Sequence, residues 1–186
     1  MFSARSVLVG AAAAIMLVSS PVNGHGQLTR PQPTFNGYGG GYPSVIQSSV
    51  LQGQFVGPPD ANADSFDKAF RAQKKSTLKD FILQYQDTSK GSAGGGTADC
   101  GFSKSNGAAQ ALPDSLQWGT GFIHPGPCEA WCDNEIVVPY TANCWKTFSG
   151  GNVPYAKAKC AGKSRLTFYW LGVHGPPWQV YINCWC

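Results

Sequence analysis

The sequence predicts a mainly β protein: a β-sandwich with long loops and short helices, stabilised by disulfides. Three observations predict it. The segments NEIVVPY (134–140), SRLTFYWLGV (164–173) and WQVYINCWC (178–186) are rich in β-branched and aromatic residues, and Gly, Pro and Asn clusters separate them. All seven cysteines fall in the second half, at Cys100, Cys128, Cys132, Cys144, Cys160, Cys184 and Cys186. The chain opens like a secreted protein, and in a secreted chain such cysteines pair as disulfides. Seven is odd, so three bridges leave one thiol over, and the sequence leaves the pairing open.

Along the chain, Arg5 precedes an apolar run, VLVGAAAAIMLV, which Ser19, Ser20 and Pro21 end. Small residues Val22 and Gly24 then mark a cleavage site. This layout predicts a secretory signal peptide over 1–24 and a single domain over 25–186. No later run is long and apolar enough to span a bilayer. The leader holds one of the 14 Lys+Arg and none of the 10 Asp+Glu, so the mature chain keeps a mild positive balance. That balance suits an acidic partner without requiring one. A secreted, extracellular monomer is expected, with neither nucleic acid nor membrane as partner.

From His25 to about Gly57, Gly, Pro, Gln, Ser and Tyr dominate, which predicts turns and surface loops rather than core. A short helix is expected to start at Asp64 or Ser65 and run to Ala72. A second is expected from Ser76, with Leu78, Phe81, Ile82 and Tyr85 at helical spacing. SKGSAGGGTADC (89–100) reads as a flexible loop.

Three histidines survive maturation: His25, His124 and His174. Cleavage after Gly24 would give His25 both a free amino group and a ring nitrogen, which together chelate a metal. Nitrogen donors of this kind suit copper. His124 sits in FIHPGPCEAW, a stiff Pro-Gly-Pro turn that Cys128 is able to tie down. A zinc site from His124, Cys128 and Cys132 is a rival reading that the oxidising compartment disfavours. In a strand over 178–184, Trp178, Val180, Ile182 and Cys184 take one face, while Gln179, Tyr181 and Asn183 take the other. The second face is either solvated or part of a site, with His174 brought near Gln179 by the Gly-Pro-Pro turn.

The mature opening HGQLTRPQPTF, DCGF (99–102), GFIHPGPCEAW and the terminal H-x4-Q-x-Y within VHGPPWQVYINC together resemble lytic polysaccharide monooxygenases. Among these the chain is most similar to the oomycete pectin-active group, auxiliary activity family seventeen. The resemblance implies one copper ion on an immunoglobulin-like sandwich. It implies a histidine brace of His25 and His124 as metal ligands, with Tyr181 axial. It implies catalytic positioning by His174 and Gln179, and oxidative cleavage of pectin (homogalacturonan) using hydrogen peroxide or dioxygen and an external electron donor. His174 stands closer to Gln179 than in the cellulose-active fungal families, which leaves a brace of His25 with His174 as an alternative. A copper carrier without catalysis, a binding module without copper, and action on cellulose or chitin are the competing readings.

Hydrolysis would need a carboxylate pair. Glu129, Asp133 and Glu135 form the nearest cluster, and they read as a solvated face. Lys68, Arg71, Lys74, Lys75 and Lys79 form a basic stretch that suits a polyanion or merely a solvated helix. Tyr38 and Tyr42 are candidates for sugar stacking or loop packing.

Overall fold

The computed structural model describes residues 26–37, 39–73, 77–107, 110–119 and 121–186. The leader, His25, Tyr38, Lys74, Lys75 and Ser76 lie outside the described residues. The described chain is mostly β, in two antiparallel sheets. A three-stranded sheet has the order β1 (Leu28–Arg30), β3 (Leu116–Trp118), β6 (Asn152–Val153). A five-stranded sheet has the order β2 (Ser44–Ile46), β8 (Trp178–Trp185), β7 (Leu166–Gly172), β4 (Cys128–Cys132), β5 (Glu135–Thr141). The three expected strands are present as β5, β7 and β8.

The two sheets face each other across one core. Leu28, Leu116, Trp118 and Val153 from the small sheet meet Ala130, Val138, Phe168, Trp170 and Tyr181 from the large one. The outer face of the large sheet carries a second core, which helices α1 (Pro59–Ala72) and α2 (Leu78–Tyr85) cover. There Phe66, Phe70, Phe81 and Ile82 pack on Tyr169, Leu171, Trp178, Val180 and Ile182. Phe66 meets Trp178 edge to face with ring centroids 4.9 Å apart. Strand β7 is therefore buried along its whole length, and its residues divide by alternation between the two cores. This explains why LTFYWLG reads as an unbroken apolar run.

Three disulfides close the fold: Cys100–Cys184, Cys128–Cys144 and Cys132–Cys160. Cys186 is the cysteine left over, and its thiol donates to the Ser105 carbonyl at 3.0 Å. Among the described residues no helix is long and apolar enough to cross a membrane.

Two expectations are corrected. Residues 25–57 are not loop alone, because β1 and β2 lie there and Leu28, Val45, Ile46, Leu51 and Phe55 are buried. Each strand has only three residues, too few for a periodic signal, and the paired strands supply the burial. Helix α1 starts at Pro59, not at Asp64 or Ser65. Proline at the first helical position loses no hydrogen bond and has its φ already set, so Pro59 is the true start signal. Helix α2 begins after Thr77, whose hydroxyl accepts from the Asp80 amide at 3.0 Å. The glycine-rich 89–100 stretch is pressed onto Pro43 at Gly91 and Gly96, and the Thr97 and Gly101 backbones pair.

Candidate metal and substrate site

His124 is placed by the turn that leads into β4. The Pro125 carbonyl accepts from Val173 N at 2.9 Å and the Pro127 carbonyl from Leu171 N at 3.0 Å, so the turn prolongs the β4–β7 ladder. Gly126 between them has φ +149°, and a Cβ there would overlap the Leu171 carbonyl oxygen. Only glycine fits. The Gly126 carbonyl accepts from Cys144 N at 2.9 Å, and the Cys128–Cys144 bridge fastens the same turn to α3 (Cys144–Thr147).

His174 lies two residues beyond β7, so the same ladder brings it beside His124. Gly172 sits next to both imidazoles: a Cβ there would lie 3.4 Å from His124 Cβ and 3.6 Å from His174 Nδ1. Asn62 of α1 locks the His174 backbone from the other side. This buried amide donates to the His174 carbonyl at 2.9 Å and the Gly57 carbonyl at 3.0 Å, and it accepts from Gly57 N at 2.9 Å. The two rings end 3.8 Å apart between centroids, only 22° from parallel. Both border one open pocket of about 460 Å³, which Pro58, Pro59, Asp60, Ile123 and Trp145 help to line.

The last hairpin supplies the rest. Gly172 pairs with Gln179 across β7 and β8. Alternation on β8 holds, with Trp178, Val180 and Ile182 facing the helices and Tyr181 facing the small sheet. The face of Gln179, Tyr181 and Asn183 is not solvated. Tyr181 and Asn183 are buried and Gln179 half-buried, because the three-stranded sheet covers them. The Tyr181 hydroxyl donates to Gln179 Oε1 at 2.7 Å. Its ring stacks on Trp170 at 4.3 Å, and Trp170 stacks on His124 at 6.0 Å. Tyr42 meets Tyr181 edge-on at 6.5 Å.

His25 is outside the described residues, but the chain just beyond it is anchored. A Cβ on Gly26 would overlap the Trp118 indole nitrogen, so glycine is what lets the backbone lie on that ring. Leu28 N donates to the buried Asn183 side-chain oxygen at 2.7 Å, and Gly119 N donates to the Gln27 carbonyl at 2.9 Å. Trp118 in turn packs edge-on against Trp170, the ring that stacks on His124. The start of β1 and the two imidazoles thus share one aromatic support.

The rival sites dissolve. Cys128 and Cys132 are bridged to Cys144 and Cys160, so neither offers a thiolate for zinc. Of the carboxylate cluster Glu135 is exposed and Asp133 half-buried, but Glu129 is not on a solvated face: it is buried. It accepts from Leu78 N, Lys79 N and the Trp131 indole, so it caps α2 from the sheet. Burial raises its pKa above the ordinary glutamate value against the pull of those three donors. Asp133, held below the usual range chiefly by the Ser164 amide, ties a turn together. The basic stretch is partly engaged: Arg71 pairs with Asp67 at 2.8 Å, and Lys79 lies over the Trp131 ring. Lys68 is exposed, on the third turn of α1, remote from the Pro59 end that borders the pocket.

Asn62 and Trp145 were not signalled by the sequence. His124 and His174 offer imidazole nitrogens, donors that suit a borderline cation, although among the described residues no group of three or more His, Cys, Asp or Glu gathers around one point. No family model matches this sequence, and no curated protein matches it.

Proposed function

We propose that this chain is a secreted, copper-dependent lytic polysaccharide monooxygenase of the pectin-active kind, auxiliary activity family seventeen, built on an immunoglobulin-like sandwich. One observation carries the reading: His124 and His174, 50 residues apart in the sequence, meet as near-parallel imidazoles at an open pocket, next to Gly172, whose strand partner Gln179 accepts from the Tyr181 hydroxyl. Coiled turns rich in glycine and proline place both rings, and a buried amide, a disulfide and a strand ladder hold them there. Rings fixed this firmly at a surface are poorly explained as packing.

In this reading His25, freed by removal of residues 1–24, and His124 hold one copper ion by nitrogen. Copper held there would supply one-electron chemistry with hydrogen peroxide or dioxygen, with an external donor as the source of electrons. Tyr181 gives its O–H to Gln179, which would leave the phenol oxygen's lone pairs as an oxygen donor for that ion. His174, fastened through its backbone to Asn62, borders the pocket and would hold or pass a proton near the sugar. Ile123 and Trp145 give the mouth apolar flanks that accept a polysaccharide chain. The positive balance of the chain suits an acidic polymer such as homogalacturonan. The three disulfides and the absence, among the described residues, of a membrane-length helix accord with an extracellular protein.

Mass spectrometry of products from polygalacturonate, cellulose and chitin tests this, with copper and reductant each withheld in turn. Oxidised oligogalacturonides are expected only when both are present, and they disappear in His124→Ala. Tight type-2 copper binding by electron paramagnetic resonance with no oxidised product from any polymer would make the protein a carrier. No copper signal would end the brace reading.

A further inference from the structure

We infer that Trp145 and Lys146 form the sugar-binding subsite of the histidine pocket, with Lys146 exchanging Asp60 for the free carboxylate of a uronic acid unit. The inference rests on the proposed function in taking a galacturonan as substrate, and it adds the residues that grip it.

Trp118, Trp170 and Trp178 are buried, and Trp131 and Trp185 are half-buried. Trp145 stands out from them with 40% of its surface in water, and it borders the same pocket as His124 and His174. An indole left this open forgoes much of the stabilisation that burial brings. The four-residue helix that carries it is too short to persist alone. It is fastened three ways: the Cys128–Cys144 bridge, the Cys144 N bond to Gly126, and the Asn143 side chain, which accepts from Lys146 N at 3.4 Å. Gly126 belongs to the turn that places His124, so one turn sets the distance from indole to imidazole. A flat apolar face held rigidly beside two imidazoles is what the C–H face of a pyranose ring stacks on.

Lys146 follows directly. Its ammonium lies 3.3 Å from Asp60 Oδ2, and both side chains are about half exposed. Asp60 itself lines the pocket, and its other oxygen, Oδ1, is buried without a hydrogen-bond partner. A pair so exposed contributes little and is easily exchanged. A sugar seated on Trp145 would bring a free carboxylate within reach of Lys146, whereas a methyl ester offers no charge to compete with Asp60.

Affinity electrophoresis and calorimetry on the mature protein, without reductant, compare polygalacturonate with its methyl ester. Trp145→Leu, which keeps apolar mass on the helix, is expected to weaken binding to both polymers about tenfold, and Trp145→Tyr to restore most of it. Lys146→Gln is expected to weaken binding to the free acid about fivefold and leave the ester unchanged. Unchanged affinity in Trp145→Leu, equal losses on both polymers in Lys146→Gln, or failure of the parent protein to bind either polymer would each overturn the subsite. Because no oxidation is read, a protein that binds in this pattern but yields no oxidised product removes the enzyme and leaves the subsite standing.

Discussion

Glu129 shows how much one side chain does away from the pocket. It is a buried carboxylate on β4 that meets the first amides of α2, where the helix dipole favours negative charge. Glu129→Ala leaves those amides and the Trp131 indole without their acceptor, at a cost of roughly 2–4 kcal/mol, measurable by chemical denaturation. The folded protein also holds the Glu129 proton more tightly than the unfolded chain does. Its contribution to stability is therefore greatest below the ordinary glutamate pKa and is lost as pH rises through the raised value. Glu129→Gln is expected to flatten that part of the stability–pH curve; an unchanged slope would mean another group is responsible. At this scale the sequence spoke clearly where alternation or a motif exists, as for Gln179 and Tyr181 on β8. It was silent on Asn62, because its value comes from the His174 carbonyl, 112 residues away.

At the scale of elements, the decisive join is the turn over 123–127 with α3. The Cys128–Cys144 bridge spans 16 residues and fixes both the His124 turn and the Trp145 helix. Replacing both cysteines by alanine is expected to cost about 3 kcal/mol and lower the melting temperature, read by calorimetry. Copper affinity and polysaccharide affinity should fall together, since one anchor serves both. Loss of stability with both affinities intact would show the turn holds itself. Strands β5, β7 and β8 were legible because they carry long β-branched and aromatic runs. Strands β1 and β2 were not, since three residues make no period and their partners lie more than 80 residues away. The start of α1 was misplaced because the capping residues Asp64 and Ser65 looked stronger than Pro59.

For the whole molecule, the proposed copper site would need His25 at the amino terminus. Gly26 on Trp118 and Leu28 on Asn183 seat the first described residues against the inter-sheet core. A protein carrying one extra residue before His25 is expected to keep this seating and its fold. It should lose tight copper binding, because the terminal amine becomes an amide; equal affinity in a copper titration would remove His25 from the site. The layered arrangement has a further consequence in β7. Both of its faces are covered, so sliding it by one residue exchanges one core for the other and exposes little apolar surface to water. The usual hydrophobic penalty on such a slip is weak here. What indexes the strand is its neighbours: β4 is fastened at Cys128 and Cys132, and β8 at Cys184, one on either side of it. The sulfur bridges then act as the alignment pins of a sheet whose central strand is covered on both faces.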